Sequence, residues 1–160
     1  MPDSATPRVF PTVRASRLDG TELTLPDDLP APRTLVIVSF VDDLDPLCDQ
    51  WARLAERIGA SRGDTFACVE TPVVGRGMAL FGSLATAGIR RQVEGEAERA
   101  RTLPIYVDKG PFRKALGLGK LSDVYPFLVE RDTGRILWSG RGAIDFDEVA
   151  ELEAALDAAG

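Results

Sequence analysis

No histidine occurs anywhere in these 160 residues, and that single absence removes much chemistry. Ser-His-Asp and Cys-His nucleophile activation are excluded, as are zinc sites built on imidazole. Catalysis, if the chain performs any, rests on a thiol, a carboxylate, Lys, Arg or Tyr. Only two cysteines are present, Cys48 and Cys68, too few for a disulfide framework. There is no Lys/Arg block. The nearest approach, Arg90–Arg91 with Arg99 and Arg101, is interleaved with Glu94, Glu96 and Glu98 and reads as a solvated helix face. With a formal net charge of −6, the chain lacks the basic face that a nucleic-acid binder presents. No apolar run approaches the roughly 20 residues needed to cross a bilayer, and Met1–Pro11 has no apolar core of a secretory signal. The expectation is a soluble cytoplasmic protein with no nucleic-acid partner, no membrane insertion, no metal and no cofactor.

Two further motifs are missing. Gly75 with Gly77, and Gly117 with Gly119, are not followed by the Lys-Ser/Thr pair of a phosphate loop. The acidic cluster Asp42, Asp43, Asp45 and Asp49 does not have the spacing of a calcium loop, which needs a Gly at its sixth position and a Glu at its twelfth. Helix capping and a solvated loop account for it.

What is present suits one folded domain. Hydrophobic residues make up 44% and charged residues 28%, enough apolar surface for a core and too little net charge for disorder. Residues 1–9, with Pro2 and Pro7, are expected to be a flexible N-terminus, and residues 10–160 a single domain. Val13 to Leu25 alternates around Asp19–Gly20, a hairpin signal. Thr34–Phe40 is β-branched and apolar on both faces, as a central strand covered on both sides should be. Asp45 and Pro46 then open a helix in which Leu47, Cys48, Trp51, Leu54, Ala55 and Ile58 share one stripe. Gly59 is its expected left-handed cap. Thr65–Thr71 reads as a second buried strand stopped by Pro72, Met78–Arg101 as mostly helix, and Leu103–Val107 as a short strand. Pro111–Leu116 reads as a short helix ended by Gly117. Phe127–Arg131 and Arg135–Ser139 form a hairpin around Asp132–Gly134. In the last helix Asp145 and Glu148 form a capping box, and Phe146, Val149, Leu152, Ala155 and Leu156 form the buried stripe. Strand–helix–strand crossovers with a late hairpin imply an α/β protein: a three-layer arrangement with a central mixed sheet, helices on both faces and an N-terminal β-hairpin.

This order resembles the thioredoxin-like superfamily over about Phe10 to Ala158. Within it, Asp19-Gly-Thr-Glu-Leu-Thr-Leu25, and Phe40 followed eight residues later by Cys48, are similar to the peroxiredoxins, the alkyl hydroperoxide reductase and thiol-specific antioxidant family. That likeness makes Cys48 the candidate nucleophile and puts Asp45 at the position of the usual Thr. Val124-Tyr-Pro-Phe-Leu-Val-Glu-Arg-Asp-Thr-Gly134 resembles the segment after the thioredoxin cis-proline, which implies a cis Tyr125–Pro126 bond. Val41 replaces the family's Pro, and Val124 stands at the aligned position of its Arg. The thioredoxin two-cysteine motif is absent. The C-terminal half, with Arg113-Lys-Ala-Leu-Gly117 and Arg135-Ile-Leu-Trp-Ser-Gly-Arg-Gly142, is similar to the mitochondrial ATP-synthase assembly-factor family, thioredoxin-like chaperones without turnover.

Two functions follow. In one, Cys48 acts as a one-cysteine thiol peroxidase or oxidoreductase, is oxidised to a sulfenic acid and is reduced by an external thiol. Trp51, Tyr125, Pro126 and Arg76, a loop cation between two glycines, would then line its site. In the other, the chain is a non-catalytic binding or assembly-chaperone protein with a protein partner, and Cys48 is a small apolar residue packing beside Trp51. A homodimer is open in either case. The helix N-terminus favours a thiolate by about 0.3–1 kcal/mol, whereas a carboxylate about 4 Å away opposes it by about 4 kcal/mol at an effective dielectric near 20. Cys68, in an apolar strand, reads as a core residue.

Overall fold

The strand expected to be central is central. The computed structural model describes residues 8–40, 45–75 and 100–159. In it β3 (Arg33–Ser39) lies between β4 (Phe66–Gly75), which is parallel to it, and β6 (Tyr125–Glu130), which is antiparallel. The sheet is completed by β1 (Val13–Ser16), β2 (Glu22–Leu25), β5 (Ile105–Val107) and β7 (Ile136–Ser139), in the order β2-β1-β5-β4-β3-β6-β7. The described residues include the α-helices α1 (Asp45–Gly59), α2 (Lys109–Leu116) and α3 (Phe146–Ala159) and a 3-10 turn at Gly63–Thr65.

Period-two alternation divides the core into two layers. Leu35 and Ile37 of β3 join Trp51, Ala55 and Ile58 of α1 and Leu152 and Leu156 of α3 on one face. Val36 and Val38 join Phe112 and Leu116 of α2 on the other. All four of these strand residues are 0% exposed, so each contributes about 1.5–3 kcal/mol of burial. Helices on both faces of a mixed sheet confirm the expected architecture.

Several local expectations hold. β1 and β2 pair around a turn in which Gly20 has φ 94° and Asp19 Oδ1 accepts from Thr21 N–H at 2.9 Å. Asp145 caps α3 by accepting from Asp147 N–H at 2.7 Å. Others need correction. Pro72 does not stop β4: it stands opposite Ser39, where β3 ends, and the strand continues by pairing Val73 with Ile105. Its missing N–H thus falls where one ladder is exhausted, the position at which a strand tolerates proline. Gly59 ends α1 without a positive φ, so it is not the expected left-handed cap; Phe66 packs 3.4 Å from where a Cβ would be, an ordinary contact. Backbone contact begins early: Ile136 N–H donates to Arg8 O, and Val9 bridges Arg135.

Candidate functional site

Cys48 lies in the first turn of α1, at the C-terminal edge of the sheet. Its residue is 6% exposed and belongs to the apolar layer formed by Leu35, Trp51, Val124 and Leu128. Trp51 is 0% exposed, packs against Trp138 with ring centroids 5.8 Å apart and planes tilted by 52°, and donates its indole N–H to Gly142 O at 2.7 Å. That bond ties α1 to the loop after β7 and makes Trp51 an anchor of the layer. Neither cysteine is in a disulfide.

The remaining sequence candidates are not all gathered around Cys48. Asp45 is the first residue of α1; its side chain lies outside the described residues, as do Arg76 and most of the helix expected over Met78–Arg101. Tyr125 is buried on the opposite face of the sheet, where its hydroxyl donates to Lys120 O at 2.7 Å. Pro126 is in register with Ile37 inside β6, and the Tyr125–Pro126 bond is trans; among the described residues the cis bond is Leu25–Pro26. The expectation of a cis Tyr125–Pro126 is therefore overturned, because the dipeptide continues a strand ladder. Val124, fully buried, occupies the cysteine side instead.

A cation does come near this end of α1, but acids claim it. Arg101 is no solvated side chain: it is 20% exposed, and Glu70 lies 3.1 Å from its Nε, Glu56 3.6 Å from Nη1 and Asp49 4.0 Å from Nη2. One guanidinium thus serves three carboxylates. Cys68 sits beside this cluster in a groove lined by Ala52, Ala55, Phe66 and Arg101. Burial, above all, pushes its thiol up; Glu70 pushes it further, and the opposing pull of Arg101 is smaller than either. A strand cysteine thus remains a thiol.

Sequence periodicity misplaced one residue and missed another feature. Phe146, the first residue of α3, is 93% exposed and is not part of the buried stripe. Glu148 does not complete a capping box: its buried Oε2 has no partner, nor has the Trp138 indole N–H. Both lie against Gly140, where an added Cβ would meet Trp138 at 2.7 Å and Glu148 Oε2 at 3.2 Å.

Sheet order, layers and helix positions define a thioredoxin-like α/β protein. A thiol:disulfide interchange protein DsbE from Chlorobium tepidum has the same fold at a TM-score of 0.57, with 20% identity and 98% and 99% of the two chains covered. Copper-bound yeast Sco1 superposes at 0.59 with 10% identity, covering 97% of this chain and 94% of that one. The Streptococcus pneumoniae exposed lipoprotein thioredoxin Etrx1 does so at 0.57 with 11% identity, covering 90% and 98%. No family model matches the sequence, and no curated protein matches it. Identities this low establish the fold alone. The chain has no histidine, and among the described residues no three Cys, Asp or Glu come together to hold a metal. No helix among the described residues is long and apolar enough to cross a membrane.

Proposed function

We propose that this chain is a thioredoxin-fold recognition protein in which Cys48 is a core residue and not a nucleophile. One observation carries the reading: Cys48 is packed in the apolar layer with Trp51 and Val124. Ionising a thiol in such surroundings is opposed by desolvation, and the helix N-terminus returns only about 0.3–1 kcal/mol. Val124 supplies an isopropyl group at the position where a peroxiredoxin resemblance calls for a guanidinium. The likeness of the C-terminal half to an assembly-factor family supports the same role.

Intact-mass measurement after stoichiometric hydrogen peroxide tests this, alongside alkylation of wild type and Cys48→Ser at neutral pH. The expected result is slow alkylation and no rapid mass gain of about 16 Da, the mark of a sulfenic acid. A rapid gain that disappears in Cys48→Ser would restore the one-cysteine peroxidase in place of the recognition protein.

A further inference from the structure

All three lysines of the chain, Lys109, Lys114 and Lys120, fall with Arg113 in one stretch of twelve residues that holds no acid. The sequence spaces them singly, but α2 and the turn after it gather them, and all four residues are exposed. None of the four makes an ion pair among the described residues. Arg8 reaches the same helix, its Nη1 donating to Leu116 O at 3.4 Å. The flanking acids are Asp108 and Asp123, and Arg141 lies 3.7 Å from Asp123. Counting Arg8 and Arg141, cations outnumber carboxylates here six to two, on a chain of net charge −6.

Helix stability explains only part of this excess. Arg113 and Lys114 stand in the last turn of α2, where cations complement the helix dipole. Lys109 is its first residue, where a cation opposes the dipole, and Asp108 makes no side-chain cap there. Lys109 and Arg113 are also i and i+4, a like-charge pair that weakens a helix. The fold thus bears an electrostatic cost that an outside anion would relieve. We infer that this face of α2 docks an acidic segment of a partner protein, two of whose carboxylates accept from Lys109 and Arg113. Side chains at i and i+4 of a helix are about 5–6 Å apart, and alternate residues of an extended chain about 6–7 Å apart. A Glu-x-Glu segment laid along α2 therefore fits the pair. Leu121, 37% exposed in the turn that follows, offers an aliphatic neighbour of that segment a surface to cover. This face gives the recognition role a location and rests on that reading.

Two blocked tripeptides test it, acetyl-Glu-Ala-Glu-amide and the near-isosteric acetyl-Gln-Ala-Gln-amide, each titrated into ¹⁵N-labelled protein. Amide shifts should concentrate between Lys109 and Leu121, and the Glu probe should bind about fivefold more tightly than the Gln probe. Lys109→Gln and Arg113→Gln should each remove that preference, and Arg57→Gln, a cation lost from the exposed side of α1, should leave it. Lys109→Gln should also raise the melting temperature of the free protein by about 1 °C; a fall would mean that the lysine serves the fold. Equal binding of the probes, shifts centred elsewhere, or no shifts at millimolar probe would each overturn the surface. Tighter binding of a thymidine trinucleotide, which also carries two anionic groups, would overturn the protein segment in favour of a nucleic acid. Self-association at low salt that Lys109→Gln abolishes would put α3 of a second copy, with its exposed Asp147 and Glu151, in the partner's place. The peroxide experiment reads separately: a peroxide-reactive Cys48 with shifts at α2 sinks only the non-catalytic reading, and an inert Cys48 without them sinks only this surface.

Discussion

Arg101 holds together charges that sequence alone scatters over more than fifty positions. Glu70 is a strand residue with only 10% of its side chain exposed, and Arg101 meets it at 3.1 Å. Removing one partner of a buried pair leaves the other charge desolvated, which costs more than the pair is worth intact. Arg101→Met is therefore expected to lower stability by about 2–4 kcal/mol in urea unfolding. Adding Glu70→Gln to that variant should recover at least half of the loss; no recovery would mean that Arg101 acts through packing alone. Glu148 poses the opposite problem. Burial, then the neighbouring Asp145 and Glu151, raise its carboxyl above the ordinary Glu range. The folded state therefore holds that proton more tightly than the unfolded chain. Its contribution is most favourable below the unfolded Glu value of about 4.3 and is lost as pH rises through the higher folded value. Glu148→Gln removes the penalty, so at pH 7 it should raise the melting temperature by about 1–2 °C. Near pH 3 the gain should vanish. A gain that persists in acid would trace to packing against Gly140 and Trp138. Neither effect was legible in sequence, because ion pairing and desolvation depend on which distant elements meet.

At the scale of elements, two glycines that look alike as helix stops do different things. Gly117 follows α2 at φ 65°, and its N–H reaches the carbonyls of Arg113 and Lys114. Any L side chain is strained there, so Gly117→Ala should destabilise by about 1–2 kcal/mol. Gly59 is the last residue of α1 and has no positive φ; an added Cβ would sit 3.4 Å from the Phe66 ring, an ordinary contact. Gly59→Ala should stabilise by about 0.4–1 kcal/mol, since alanine restricts the unfolded chain and favours helix. Thermal melts of the two variants must therefore move in opposite directions; movement in the same direction would refute this division of roles. Such details mark the limit of sequence reading. β3 and α1 were legible because an apolar run and a 3.6-residue stripe each specify one kind of burial. The end of β4 was not, because Pro72 is compatible with a strand only once the end of β3 is known. Phe146 was not, because a stripe fixes a helix face and is silent about what the first turn of the helix meets. The isomer at Tyr125–Pro126 follows from the ladder with β3, which no dipeptide encodes.

At the scale of the whole molecule, the path of the chain decides whether its two cysteines can act together. α1 leaves the C-terminal end of β3 and returns to the N-terminal end of the parallel β4, so it runs antiparallel to both. Gly59 packs against Phe66 at the bottom of that crossover. Eleven residues of helix separate Gly59 from Cys48, a rise of about 16 Å. Cys68 lies two strand residues above Phe66, a rise of about 7 Å. Ideal rises therefore predict Cα atoms offset by about 10 Å along the sheet, beyond the roughly 7 Å that a disulfide spans, while the thiols remain near enough for Cys48 to push the Cys68 thiol up. Fold neighbours named as thiol:disulfide interchange proteins share the scaffold; in this chain neither thiol is in a disulfide. The melting temperature should accordingly agree within about 1 °C between dithiothreitol and oxidised glutathione, and intact mass should show no loss of two hydrogens. A dehydrogenated species with a shifted melting temperature would require α1 to slide by more than half a turn toward Cys68, and would return the pair to redox chemistry.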